Sequence, residues 1–186
     1  MNDLCDDIIR YLSSLKISGK RADDTRQIKT GLATMGQDKE YCVSCHGLER
    51  ALCLKRKFVN REWMFDLAWY TENGHYLIKE LALACEIEWG GVRYTRKRDD
   101  GNDRYGEVKY DFQKLVVAVS NYKLMVFRQD NQVTFEDVVK GYFNEQVSAF
   151  RENDMNSIYI LCCFVDNCPQ FAVCNSREMQ FRHLEA

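Results

Sequence analysis

Apolar residues recur at helical spacing over residues 3 to 16, where Leu4, Ile8, Tyr11, Leu12 and Leu15 form one stripe. The spacing predicts a helix. Residues 18 to 40 are polar and carry Gly19, Gly31 and Gly36, which weakens a helical reading there. GLERALCLKRKFV, residues 47 to 59, reads as a second helix with Leu48, Leu52 and Leu54 inward. Strand signals follow. WMFDLAWY, residues 63 to 70, is rich in aromatics, and Glu72-Asn73-Gly74 is a turn signal. HYLIKELALACEIEW, residues 75 to 89, then returns as a long strand, so the two segments read as a β-hairpin.

The polar segment from Gly90 to Gly106 reads as a loop. YDFQKLVVAVSN, residues 110 to 121, predicts a helix capped by Asp111. YKLMVFR, residues 122 to 128, is a strand, and Thr134 to Asp137 opens a helix running to about Asn153. SIYILCCFV, 157 to 165, is a buried strand, and QFAVCN, 170 to 175, is another. This order predicts an α/β (α+β) sandwich, with a central mixed sheet between helices.

Alternation along the hairpin exposes its chemistry. Leu81, Leu83, Cys85, Ile87 and Trp89 form an apolar face, while Ala82, Ala84, Glu86 and Glu88 share the other. In the partner strand Phe65, Leu67 and Trp69 are apolar, and Asp66 and Ala68 face oppositely. Like charges on one strand face are unfavourable without a positive partner. If Asp66 and Glu86 lie near each other across the hairpin, they can chelate Mg²⁺, which favours one or two carboxylates, waters and a substrate phosphate. The alternative is an ordinary solvated face, against which Ala82 and Ala84 are poor choices for an exposed strand. Asp111 and Lys114 add a carboxylate and a lysine three apart on a helix. Lysine near such a site can orient a water and neutralise charge on phosphate.

Composition narrows the class. The chain has 186 residues, of which 46% are hydrophobic, enough for one domain with a sizeable core. A formal net charge of −2 gives no global attraction to nucleic acid or membrane. The N-terminus begins acidic, no signal peptide or membrane span is read, and a cytoplasmic location is expected. The nine cysteines are then expected as core thiols.

An aspartate on one hairpin strand, E-x-E-W-G at Glu86 to Gly90, D-F-x-K-L at Asp111 to Leu115 and then an apolar strand resemble the PD-(D/E)XK nuclease superfamily. The resemblance covers roughly residues 47 to 128 and is to a divergent branch of small bacterial proteins. It implies a restriction-endonuclease-like, three-layer α/β/α sandwich. It divides the single domain, 1–186, into an N-terminal helical segment, 1–46, and a nuclease-like core, 47–175. By position it implies Asp66 and Glu86 as metal ligands for Mg²⁺ or Mn²⁺, with Glu88 a further ligand or a base beside the metal. Glu88 stands where the superfamily's lysine is usual, and Lys114 would be that lysine displaced onto the helix. Glu49 could match an extra acidic residue of some branches, or be a surface charge.

The implied function is metal-dependent phosphodiester hydrolysis in nucleic acid, DNA first. Arg93, Arg96, Lys97, Arg98 and Arg104 could contact the backbone, although Asp99, Asp100 and Asp103 adjoin them. The alternative is a catalytically inactive binding or regulatory module of the same fold, in a defence or immunity role. A homodimer or a protein partner stays open.

CVSCH, residues 42 to 46, matches a haem-attachment pattern, but covalent attachment normally occurs outside the cytosol, so haem is set aside. Zinc at Cys42, Cys45 and His46 would need a second half from Cys168 or Cys174, which lack paired spacing. His75 and His183 have no matching nucleophile.

Overall fold

The structure, a computed structural model, describes residues 3–56, 58–59, 64–74, 77–90, 105–150 and 156–184. One mixed sheet of seven strands runs through it: β1 Cys42–Cys45, β2 Leu67–Glu72, β3 Ile78–Glu88, β4 Tyr122–Arg128, β5 Ile158–Val165, β6 Cys168–Asn175 and β7 Arg182–Leu184. Their spatial order follows the chain. The central trio β3, β4 and β5 is parallel, and the flanking pairs are antiparallel. Each parallel step needs a helical crossover. Helix α4, Gly106–Val117, lies between β3 and β4. Between β4 and β5 lie α5, Phe135–Val138, a π-helical turn, Val139–Phe143, and α6, Asn144–Ala149.

Two apolar clusters sandwich the sheet. One joins α1, Asp3–Ser13, α2, Arg21–Asp38, and α3, Arg50–Arg56, to the face carrying Leu67, Trp69, Leu83, Cys85 and Ile87. The other joins α4, α5 and α6 to the face carrying Ala84, Met125, Phe127, Tyr159 and Leu161. The fold is thus an α/β sandwich with helices on both faces of a mixed sheet. β4 is buried along both faces, as a central parallel strand requires.

Several expectations are corrected. The polar segment 18–40 contains an eighteen-residue helix, α2. Its interior glycines are packing devices: a Cβ on Gly31 would stand 2.0 Å from Tyr11 Oη, and one on Gly36 would stand 2.4 Å from Trp69 Nε1. CVSC is strand β1, at the edge of the sheet. The helix expected over 47–59 shortens to α3, which leaves Leu54 71% exposed rather than inward. Helix α4 begins at Gly106, so Asp111 lies inside it and caps nothing. The helix expected from Thr134 starts there, with a capping box between Thr134 and Asp137, but is interrupted by the π turn.

The hairpin also differs in detail. A register shift between Trp69 and Tyr70 leaves Ala82 without a partner on β2. Alternation slips there, so Leu81 packs on the α4 side and Ala82 on the α2 side. Phe65 and Asp66 precede β2 rather than lying in it, and Phe65 packs on the face opposite Leu67 and Trp69. Met64 at φ 136° marks the change of direction.

Candidate functional site

The predicted residues gather at the C-terminal end of β3. Glu86, 2% exposed, lies on the α4 side, paired in register with Met125 of β4. Ala84, one position back on that face, is buried beneath α4. The small side chain therefore admits the helix, not a ligand. That close approach brings Lys114, in the last turn of α4, within reach of the strand. Its Nζ stands 2.7 Å from Glu86 Oε1 and 2.9 Å from Asp111 Oδ1. Glu86 Oε1 is fully buried, with Lys114 Nζ as its close cationic neighbour.

Asp66 is held differently. Its Oδ1 accepts a 2.6 Å hydrogen bond from Lys29 Nζ, and its Oδ2 accepts from Ile87 N–H at 2.9 Å. Lys29 comes from α2 on the other face and is 6% exposed; it also donates to the His46 carbonyl at 3.2 Å. Sequence reasoning missed Lys29. The available signal was its spacing: it lies four residues from both Thr25 and Ala33, on the sheet-facing side of the helix. That stripe was hidden by the glycines.

Electrostatics separates the acids. Burial, opposed by Lys114 and reinforced by the Asp66 and Asp111 charges, pushes Glu86 up to about 8. Glu88 is also raised, first by burial, then by Asp111 and Glu107, while the Gly90 backbone and Arg21 pull it back. Lys114 is raised by its two carboxylate partners, which outweigh its own burial. The site thus holds more carboxylate than its lysine can neutralise, and Glu86 retains a proton near neutral pH. Perturbed carboxyls of this kind collect at functional sites, although structural networks produce them too.

Among the described residues, no group of three His, Cys, Asp or Glu side chains is arranged to hold a metal ion. A hydrated Mg²⁺ needs only one or two carboxylates. The buried Glu86 carboxyl and the excess of carboxylates over lysine fit such an ion, whereas an all-protein cage does not fit.

The remaining candidates fall elsewhere. Glu49 is exposed at the start of α3. Arg93, Arg96, Lys97, Arg98 and Arg104 lie outside the described residues, as does His75. Cys42 and Cys45 lie three apart on β1, so strand alternation points them to opposite faces of the sheet. Cys168 and Cys174 lie on β6, five strands from β1, roughly 24 Å away at the usual strand spacing. They cannot complete a site with Cys42 and Cys45. No protein-family model, curated protein or solved structure matches this chain. Among the described residues no helix is long and apolar enough to cross a membrane.

Proposed function

We propose that this chain is a Mg²⁺- or Mn²⁺-dependent nuclease with a restriction-endonuclease-like fold, hydrolysing phosphodiester bonds in nucleic acid, DNA first. The observation that carries the reading is the 2.7 Å contact between Lys114 on α4 and Glu86 on β3. A lysine displaced onto the helix has to make that reach to serve the acidic site.

Glu86 and Glu88 would hold the cation, with Asp66 beside them. The cation would lower the pKa of a bound water and stabilise charge on the phosphate. Glu86 would give up its proton to become a ligand. Lys114, beside Asp111, would then be free to donate toward the attacking water or the phosphate. Lys29 and the Ile87 N–H fix the orientation of Asp66, so that little ordering is left for the moment of reaction.

One observation favours a second reading. Lys114 already contacts two carboxylates, Glu86 and Asp111. In that reading the chain is an inactive binding or regulatory module, in a defence or immunity role. Cleavage of plasmid, linear duplex, single-stranded DNA and RNA, with Mg²⁺, Mn²⁺ or EDTA, separates the two. The nuclease reading predicts metal-dependent cleavage that Glu86→Ala and Lys114→Ala both abolish. Cleavage equal in all three proteins, or in none, overturns it.

A further inference from the structure

Next to the acidic site, on the α2 side of the sheet, is a cavity of about 430 Å³. Arg21, Thr25, Arg26, Lys29 and His46 line it, and no carboxylate does so among the described residues. Lys29 is the shared wall: it lines the cavity and holds Asp66 at 2.6 Å. Arg21 lies near enough to Glu88 to oppose the rise in its pKa. Cavity and acidic site are therefore neighbours through two separate residues.

The lining chemistry is that of an anion seat. Arg21 and Arg26 are both exposed. Arg26 has Asp23 at 4.0 Å, with both side chains more than half exposed, and such a pair holds its partners weakly. Thr25 Oγ1 accepts from Trp89 Nε1 at 2.6 Å, so its own proton remains to be donated. Guanidinium forks match phosphate oxygens in geometry and charge. Ala22 and Gly47 complete the wall without bulk.

We infer that this cavity seats a backbone phosphate of a nucleic-acid strand, next to the phosphodiester presented to Glu86 and Lys114. The identity of the ligand rests on the nuclease reading, but the seat does not require that cleavage occur. Arg21 and Arg26 grip the phosphate, while Lys29 stays on Asp66 and marks the boundary between gripping and reacting sites. The contact is to backbone and carries no sequence preference.

The test is fluorescence anisotropy of a fluorescein-labelled DNA duplex in EDTA, titrated with salt, so that binding is read without cleavage. Wild type, Arg21→Ala/Arg26→Ala and Arg177→Ala/Arg182→Ala proteins are compared. The last pair changes charges at the far, β6–β7 side of the sheet. The inference predicts that the α2 double variant loses roughly tenfold or more in affinity at low salt, and that its salt dependence becomes shallower by about two phosphate contacts. The control variant binds as wild type. Both α2 arginines are exposed, so unchanged thermal melting is expected and separates lost binding from lost fold. An α2 variant with unchanged affinity and salt slope overturns the inference. So does a wild type that does not bind in EDTA, or binding lost only on changing Arg93, Arg96, Lys97, Arg98 and Arg104. A chain that never cleaves but shows the predicted loss keeps the seat and discards the nuclease reading.

Discussion

Two lysine–carboxylate contacts flank the end of β3, one on each face of the sheet. On the α2 side, Lys29 and Asp66 meet at 2.6 Å, and the second Asp66 oxygen is satisfied by a backbone N–H. On the α4 side, one lysine serves both Glu86 and Asp111. The first contact is balanced, so it positions. The second sets two carboxyls against one lysine, the imbalance that the proposed cation would relieve. Proximity of opposite charges alone does not distinguish these roles; the count of acceptors against donors does.

Glu86→Gln breaks the contrast most strongly. Cleavage falls by about three orders of magnitude or more, as expected when a ligand essential to a metal-assisted reaction is removed. Stability moves the opposite way. At alkaline pH the variant melts at or above the wild-type temperature, because it lacks a buried charge; toward acidic pH the difference shrinks. A variant that is both inactive and strongly destabilised at every pH would make Glu86 structural.

Lys29→Met should behave in reverse. It leaves Asp66 without its countercharge and costs about 2 kcal/mol in urea unfolding, less than a fully buried pair because the Asp66 side chain is 28% exposed. Loss of activity would be accompanied by loss of stability. A fully stable but inactive variant would move Lys29 into the reacting site.

The titration of Glu86 gives a third comparison. Its folded pKa, about 8, lies above the ordinary carboxyl value of 4.5. Between those values the folded state binds more protons than the unfolded state, so the stability of the metal-free protein falls as pH rises through that window. Metal-dependent activity runs the other way and rises with pH as Glu86 becomes free to act as a ligand, with a midpoint below the metal-free value because the cation competes with the proton. Thermal melts and rates across pH check both signs. Flat profiles would remove Glu86 from the account. Asp111→Asn is the smallest change: Lys114 keeps Glu86, the stability effect stays within about 1 kcal/mol for a partly exposed pair, and activity falls only severalfold. A loss as deep as that of Glu86→Gln would make Asp111 a ligand.

Much of the site was legible because it lies where local pattern and tertiary position agree. YKLMVFR forms β4 over the expected residues, as a central strand with a strong apolar signal should. Glu86 and Glu88 stand at the end of an alternating strand, and Asp111 and Lys114 at helical spacing after it. The other half of the site was hidden. Gly31 and Gly36 read as breakers, yet both are forced by the close approach of Tyr11 and Trp69. Tertiary packing offsets their weak propensity, about 1 kcal/mol each relative to alanine. Missing α2 meant missing Lys29, and with it the counterion of Asp66. The faces of Phe65 and Leu81 were misread for a related reason. Backbone irregularities before β2 and at Ala82 reverse the alternation, and no side-chain pattern announces them.

The most direct measurement is titration of Mn²⁺, followed by electron paramagnetic resonance and calorimetry, into the wild type and the Glu86→Gln variant near neutral pH. The account predicts saturable binding by the wild type, proton release on uptake because Glu86 must ionise, and loss of both in the variant. Absence of binding, or binding of equal strength and proton count in the two proteins, would contradict the claim that the Lys114 site is built to take a cation.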